Sequence, residues 1–287
     1  MFTRPFRYER VERLTDACSL LREHGEDAKV IAGGQSLLPL VNLGLVQPEV
    51  VIDISRVTGH RDLQAADGYL TIGALATHGA LAADQLVGTA QPLLGAAARL
   101  VGNARVRSRG TLGGSLAHSD PAAELPLVMT ALGATYELTN GPQTRTVRAE
   151  DFHVTFMTTQ LEEDELIAAV RLPTLGPGWG WSFQEVSRRD GDFAMAAVAV
   201  LVRVADGMIV ESRVAVGGVS DRPVRLADVE TSLSGATPAQ IGDRVGPLRG
   251  IRPVTDAGAS AAYRAHLCRV LVTRALMAAS QRSTEAA

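Results

Sequence analysis

The chain has 287 residues, 46% of them hydrophobic and 21% charged, with a mean hydropathy of +0.10. This length suits about two domains of roughly 100–200 residues, and the apolar content is sufficient for a core, which excludes a disordered chain. The formal net charge of −3 gives no reason to expect a nucleic acid or an anionic membrane as a partner.

The first half of the chain alternates predicted helices and strands. A helix is predicted from about residue 12 to 24, with Gly25 as its C-terminal cap. Strands are predicted at "AKVIA", which leads into a pair of glycines, and at "EVVIDI" and "YLTIGA". Two helices follow at "PLLGAAARLVG" and "AAELPLVMTALG", and further strands between residues 134 and 147 and at "DELIAAVRLP" complete this half.

The segment from Thr174 to Gly180 is the best candidate for a linker, since it has three glycines and a proline in seven residues. Beyond it, two strands joined at Ala205-Asp206-Gly207 read as a hairpin, and a long helix is predicted from about residue 260 to 280. We therefore predict two domains, covering residues 1–176 and 177–287.

Several common cofactor sites are excluded by the residue types present. Lys29 is the only lysine and precedes the glycines, so no P-loop exists, and no G-x-G-x-x-G follows a strand. Two cysteines are too few for an iron–sulfur cluster, and Cys18 lies on the apolar stripe of its helix as a buried thiol. We expect neither a metal site nor a catalytic side chain. No apolar run reaches about 18 residues, so we expect a cytoplasmic protein.

Two short stretches with adjacent glycines have the same build, "AGGQS" at residues 32–36 and "TLGGS" at residues 111–115. Glycine adopts positive φ easily and lets a ligand approach the main chain, and successive N–H groups in such a turn form a nest for anions. The hydroxyls of Ser36, Thr111 and Ser115 add donors, and a helix starting near Leu37 would point its positive end to the same place. Either the loops clamp the phosphates of a dinucleotide, or each is an ordinary strand-to-helix turn.

The order of the motifs adds a family resemblance. "AGGQSLLPL", "IDI", "IGA", "VRSRGTLGGSLAHSDPAAELP", "RRDGDFA" and "YRAHL" occur in sequence along nearly the whole chain. In this the chain resembles the FAD-binding medium subunits of the molybdenum hydroxylases, the carbon monoxide dehydrogenase and xanthine dehydrogenase family. The resemblance implies an α+β fold: a two-lobed FAD-binding domain of the PCMH type, with two α/β lobes, and a smaller C-terminal α+β domain.

The resemblance also implies which residues bind FAD. Both loops would hold the pyrophosphate, with residues Ala32, Gly33, Gly34, Gln35 and Ser36 in the first and Thr111, Leu112, Gly113, Gly114 and Ser115 in the second. Glu124 matches an acidic position that reaches ribityl or ribose hydroxyls, although a solvated residue near a helix start is the alternative.

Other positions depart from the pattern of the family. Val101 falls where some relatives place an aromatic ring against the adenine, and Phe193 falls where some have a tyrosine beside the isoalloxazine. Gln184 and Glu185 fall where relatives often carry a lysine near the flavin. A further pattern, the alternation of Arg105, Arg107 and Arg109, suggests a strand face that is exposed to solvent or that contacts a partner subunit or a phosphate.

The function implied by the resemblance is that of an FAD-carrying electron-transfer subunit. Its partners would be a small subunit with two [2Fe–2S] clusters and a large molybdenum-cofactor subunit, in a dimer of heterotrimers. Electrons would pass from molybdenum through the clusters to FAD and on to an external acceptor. The alternatives are a self-contained flavin-dependent oxidase and a nucleotide-binding module without a redox role.

Overall fold

The computed structural model describes residues 4–285, and this part of the chain has a mixed α+β architecture, as predicted. The first stretch of elements is β1 (Arg7–Arg10), α1 (Leu14–His24), β2 (Ala28–Ile31), α2 (Leu37–Asn42), β3 (Val50–Asp53), β4 (Leu63–Ala66), β5 (Tyr69–Gly73), α3 (His78–Ala83), α4 (Gln85–Ala90), α5 (Pro92–Leu100), α6 (Ala104–Arg107), α7 (Leu112–His118) and α8 (Glu124–Leu132). The remaining elements are β6 (Thr135–Thr139), β7 (Thr144–Arg148), α9 (Ala149–Phe152), β8 (His153–Thr155), β9 (Thr158–Thr159), β10 (Leu166–Pro173), β11 (Trp179–Val186), β12 (Ala196–Ala205), β13 (Met208–Gly217), β14 (Val224–Arg225), α10 (Ala227–Leu233), α11 (Ile241–Arg244) and α12 (Ala261–Glu285).

The first lobe is a three-stranded parallel sheet in the order β1-β3-β2, with α1 packed against it. Helix α1 starts two residues later than predicted and ends where Gly25 turns to φ +50°. Its apolar stripe is buried, and Cys18 is fully buried within it, as predicted. Burial raises the pKa of this thiol to about 11, so Cys18 is an unreactive core residue.

The second lobe is a five-stranded antiparallel sheet in the order β4-β5-β10-β6-β7, covered by α5 and α8. Every residue of α8 is buried, because the helix packs on its own sheet and also on β12 and β13 of the C-terminal half. This arrangement explains its nearly unbroken apolar sequence, in which only Glu124 carries a charge.

The C-terminal half is a four-stranded antiparallel sheet in the order β11-β12-β13-β14, with α12 across one face. Val198, Val200 and Val202 of β12 pack toward α12, whereas Ala197 and Ala199 pack in the core of the second lobe. Both faces of the strand are therefore buried, which accounts for its continuous apolar run. The predicted hairpin is confirmed, with positive φ at Asp206 and Gly207, and α12 extends beyond the predicted end to Glu285.

One local prediction is wrong. Arg105 and Arg107 lie on the short helix α6 and not on a strand. The cause is Asn103, whose side-chain oxygen accepts hydrogen bonds from the N–H groups of Arg105 and Val106 and so caps the helix. Arg107 turns back to donate to the carbonyls of Val101 and Gly102.

Among residues 4–285, no helix is both long enough and apolar enough to cross a membrane.

Candidate functional site

A cavity of about 670 Å³ lies where the two glycine loops meet. Its size falls within the roughly 300–1,000 Å³ of typical small-molecule sites, and most of its lining is apolar. Of the predicted site residues, all but one contribute to the lining: Ala32, Gly33, Gly34, Gln35, Ser36, Thr111, Gly113, Gly114, Ser115 and Glu124. The exception is Leu112, whose side chain is fully buried in the core of the second lobe.

The first loop connects β2 to α2 and presents free N–H groups. Gly34 has φ +72°, a conformation that L side chains rarely adopt. The backbone N–H groups of residues 33–36 donate to no acceptor within the described part of the chain, although they line the cavity. The side chain of Gln35 folds back and donates to the carbonyl of Gly33 at 3.1 Å. This loop therefore has the unpaired donors that an anion nest requires.

The second loop differs, because its N–H groups already have protein acceptors. Leu112 donates to the carbonyl of Ala76 and Gly113 to that of Ala74. The N–H of Gly114 donates to Oγ1 of Thr111, which caps α7, at 3.1 Å. The expected nest of backbone donors is therefore wrong for this loop.

The glycines of the second loop serve close packing instead of unusual backbone torsions. Neither Gly113 nor Gly114 has positive φ, in contrast to the expectation. A Cβ on Gly113 would lie 2.7 Å from the Cβ of Ala74, whereas a Cβ on Gly114 would meet only Oγ1 of Thr111. The loop thus presents hydroxyl groups and the bare backbone of Gly114 to the cavity.

His78 holds the second loop in place, and sequence reasoning missed it. The backbone N–H of His78 donates to the carbonyl of Gly110, and Nε2 of its ring forms a hydrogen bond with the carbonyl of Thr111, each at 2.9 Å. Because a carbonyl only accepts, Nε2 carries the proton, and burial lowers the pKa of His78, so the ring is neutral. A lone histidine at a helix start has no distinguishing sequence signal.

Glu124 is buried at the first turn of α8, which excludes the solvated alternative. Burial raises the pKa of its carboxyl to about 7, with a further contribution from nearby Asp120. Glu185 on β11 lies close enough to interact with it: burial, together with the charge of Glu124, raises the pKa of Glu185 to about 7 as well. Glu185 does not line the cavity itself, and its proximity to Glu124 has no counterpart in the sequence pattern.

The rim of the cavity is formed by two loops from different halves of the chain. Val101 and Gly102 follow α5, and Gly191 and Phe193 belong to the segment between β11 and β12. A Cβ on Gly191 would lie 2.9 Å from the carbonyl oxygen of Gly102, so these segments touch through their backbones. Phe193 is 64% exposed, and Met157 from the β8–β9 hairpin also lines the cavity.

The cavity has a chemical division along its length. Free backbone donors line it at the first loop and hydroxyl groups at the second, a titratable carboxyl lies at Glu124, and the remaining lining is largely aliphatic. This lining suits an elongated ligand that has an anionic part, hydroxyl groups and an apolar ring. Within residues 4–285, no three or more histidine, cysteine or acidic side chains come together as a metal site.

Comparisons with known proteins agree over the length of the chain. A family model described as the FAD binding domain in molybdopterin dehydrogenase matches residues 4–175. A second, described as the CO dehydrogenase flavoprotein C-terminal domain, matches residues 181–279.

Individual relatives match almost end to end. The nicotine 6-hydroxylase medium subunit of Paenarthrobacter nicotinovorans is 38% identical over 96% of this chain and 98% of its own length. Among solved structures, carbon monoxide dehydrogenase from Hydrogenophaga pseudoflava, in a form lacking the Mo-pyranopterin moiety, is 33% identical with a TM-score of 0.94, covering 98% of this chain and 99% of that one. Quinoline 2-oxidoreductase from Pseudomonas putida 86 is 32% identical with a TM-score of 0.91, covering 99% of each chain.

Proposed function

The chain belongs to the family of FAD-binding medium subunits of molybdopterin dehydrogenases, and we propose that it binds one FAD without a covalent bond in the cavity between its glycine loops. The observation that carries this proposal is the set of unpaired N–H groups at residues 33–36, in a loop that lines the same cavity as Thr111 and Ser115. These N–H groups lie in a half-buried loop and have no acceptor within the described part of the chain, and a pyrophosphate would supply the acceptors that they lack.

The residues present fit this cofactor. Gly114 is exposed at the cavity and has no side chain, so its backbone is open to a close-lying phosphate. Binding of the phosphate would require little reorganisation of the second loop, because His78 already fixes this loop through two carbonyls. Each hydrogen bond to the charged phosphates would contribute about 1.5–3 kcal/mol, so several would hold FAD without a lysine.

Glu124 is suited to the hydroxyl groups of the same ligand. With a pKa of about 7, its carboxyl is present in both protonation states near neutral pH and can either accept from a hydroxyl or donate to one. Its burial makes such a bond stronger than at the surface. Phe193 and Val101, which fall where some relatives place an aromatic residue beside the flavin ring and the adenine, respectively, both line the cavity.

The bound FAD supplies electron-transfer chemistry that amino-acid side chains lack. We propose that this chain holds FAD within a complex that also contains a small [2Fe–2S] subunit and a large molybdenum-cofactor subunit. In that complex it would take electrons that originate at molybdenum, arrive through the clusters and leave to an external acceptor. Support comes from the names of its relatives, a medium subunit of nicotine 6-hydroxylase and a medium chain of carbon monoxide dehydrogenase. The two cysteines of the sequence are too few to ligate a cluster in this chain.

The experiment that tests FAD binding is direct. The full chain is purified, its absorption spectrum is recorded, and acid precipitation is used to release the cofactor for identification. We expect about one FAD per chain in the supernatant. A colourless protein that also fails to take up added FAD would reject the proposal and favour a module without a redox role.

A further inference from the structure

Arg264 is a buried cation at the start of α12, within the "YRAHL" motif that the cavity does not explain. It is only 5% exposed. Its Nη1 donates to the carbonyls of Met195 at 2.7 Å and Gly218 at 2.5 Å, and its Nη2 donates to the carboxylate of Asp256 at 2.5 Å. This hydrogen bond from Arg264 is the main cause that lowers the pKa of Asp256 to about 2. One guanidinium therefore joins three separate segments of the chain.

The Met195 carbonyl lies at the base of a loop that reaches the cavity. The N–H of Met195 donates to the carbonyl of Val186 at 2.8 Å and closes the loop of residues 187–194. Gly191 and Phe193 of this loop line the cavity, and Gly191 packs on Gly102 of the opposite rim. Arg264 thus holds the loop two residues from Phe193.

The Gly218 carbonyl connects Arg264 to the other side of the cavity. Gly218 has φ +73°, and its N–H donates to the carbonyl of Pro121 at 2.7 Å. A Cβ at Gly218 would come within 2.7 Å of the carbonyl oxygen of Ala194, so the two segments are in direct contact. Pro121 leads into the short turn before Glu124, which lines the cavity.

We propose that Arg264 is a positioning residue for the flavin, which fixes the Phe193 loop through Met195 and the turn before Glu124 through Gly218. The inference rests on the proposed function, since it takes the cavity to be the FAD site. The ion pair of Arg264 with Asp256 is a weak source of stability, because the Asp256 side chain is 55% exposed and its charge is screened by solvent. What an apolar residue cannot supply is the simultaneous hydrogen bonding of two carbonyls from different segments. Arg264 therefore fixes the positions of these two segments relative to each other.

The test compares four variants of the full chain. Arg264→Met removes the donors, and Arg264→Lys retains the charge with a single donor group. Asp256→Asn removes the counter-charge but keeps the oxygen that accepts from the N–H groups of Gly258 and Ala259. Arg269→Met, at an exposed position on the same helix, is the matched control.

Three measurements are made on each variant: the Kd for FAD, the visible circular dichroism of bound FAD, and the rate of tryptic cleavage after Arg188 or Arg189 in the exposed loop. We expect Arg264→Met to weaken FAD binding roughly tenfold or more, alter the visible spectrum and accelerate cleavage. Arg264→Lys and Asp256→Asn should give intermediate values, and Arg269→Met should match the wild type.

The results that overturn the inference are equally definite. If Arg264→Lys and Asp256→Asn fold but keep the wild-type Kd, flavin spectrum and cleavage rate, Arg264 is a purely structural residue, whether or not Arg264→Met folds. If the wild-type chain binds no FAD, the proposed function fails, and the cleavage rates alone then decide whether Arg264 anchors the loop.

Discussion

The carbonyl oxygen of Arg109 occupies the place where a side chain at Gly33 would have to lie. The two glycine loops therefore meet backbone to backbone, and the main chain of Gly110 also lies close to Gly33. Gly33 does not have positive φ, so close approach and not torsional freedom explains the need for glycine at this position. At this point of the junction between the two lobes, there is no room for a Cβ.

We expect Gly33→Ala to separate the loops and abolish FAD binding. The added methyl would overlap with the main chain of Arg109, which cannot rotate away, so the free energy of unfolding should fall by about 1–3 kcal/mol. Thermal unfolding and FAD titration measure the two effects. Gly242→Ala, at a helical position with open space around it, is the control: it should leave FAD affinity unchanged and should not lower the free energy of unfolding. Wild-type FAD affinity in Gly33→Ala would show that the loops can separate without consequence.

Gly114→Val should have the opposite profile, with the fold kept and the cofactor lost. A Cβ at Gly114 meets only Oγ1 of Thr111, at 2.8 Å, so the variant requires a shift of this hydroxyl that weakens the cap of α7 but leaves the rest of the packing intact, and the valine methyl groups would project into the cavity. The expected result is a normal far-ultraviolet circular dichroism spectrum on a colourless protein. Full FAD occupancy would mean that this loop is only a turn.

The elements that carry strong periodicity could be predicted from the sequence, whereas the packing of the site could not. The valine run of β12 and the stripe of α1 follow from apolar patterning. Helix α7 was missed because it begins with a glycine pair, and glycine disfavours helix unless a cap such as Thr111 compensates. The glycine motifs themselves located the cavity.

Interactions in the site between residues that are far apart along the chain have no local signal in the sequence. The electrostatic interaction of Glu185 with Glu124 and the hydrogen bond from His78 to the Thr111 carbonyl each join elements that are far apart in the sequence. Taken one at a time, a glutamate or a histidine at these positions has an ordinary structural explanation. Such relations follow only from the fold, which brings β11 next to α8 and α3 next to the second loop.

Thr111→Val should weaken FAD binding roughly tenfold, because one hydrogen bond to a charged group contributes about 1.5–3 kcal/mol. The same change also removes the cap on the N–H of Gly114 and so lowers stability by about 1 kcal/mol. Asp84→Ala separates the two effects, since Asp84 likewise caps a helix, through the N–H groups of Leu86 and Val87, but does not line the cavity. Equal losses of FAD affinity in both variants would argue against a direct role for the Thr111 hydroxyl.

The raised pKa values of two carboxyl groups should make the stability of the chain depend on pH. The pKa of Glu124 and Glu185 is about 7 in the folded chain against a usual value of 4.5. The folded chain therefore holds more protons than the unfolded chain between these values, and stability falls as pH rises through that window. Glu185→Gln removes one of the two groups, so its melting temperature should fall less than that of the wild type between pH 5 and pH 8. Exposed Glu163→Gln is the control, and an identical pH dependence in all three proteins would contradict this pairing.

The last prediction concerns the division of labour between this chain and its proposed partners. With two buried cysteines, and no metal-binding cluster among residues 4–285, the chain purified alone should contain FAD but neither iron nor molybdenum. Dithionite should reduce its flavin, whereas the substrate that reduces the complex purified with its partner subunits should leave it oxidised. Elemental analysis and anaerobic stopped-flow spectra of the chain, with and without those subunits, measure both properties. If the substrate rapidly reduced the flavin in the metal-free chain, the electrons would need no second subunit, and the self-contained oxidase would be the better description.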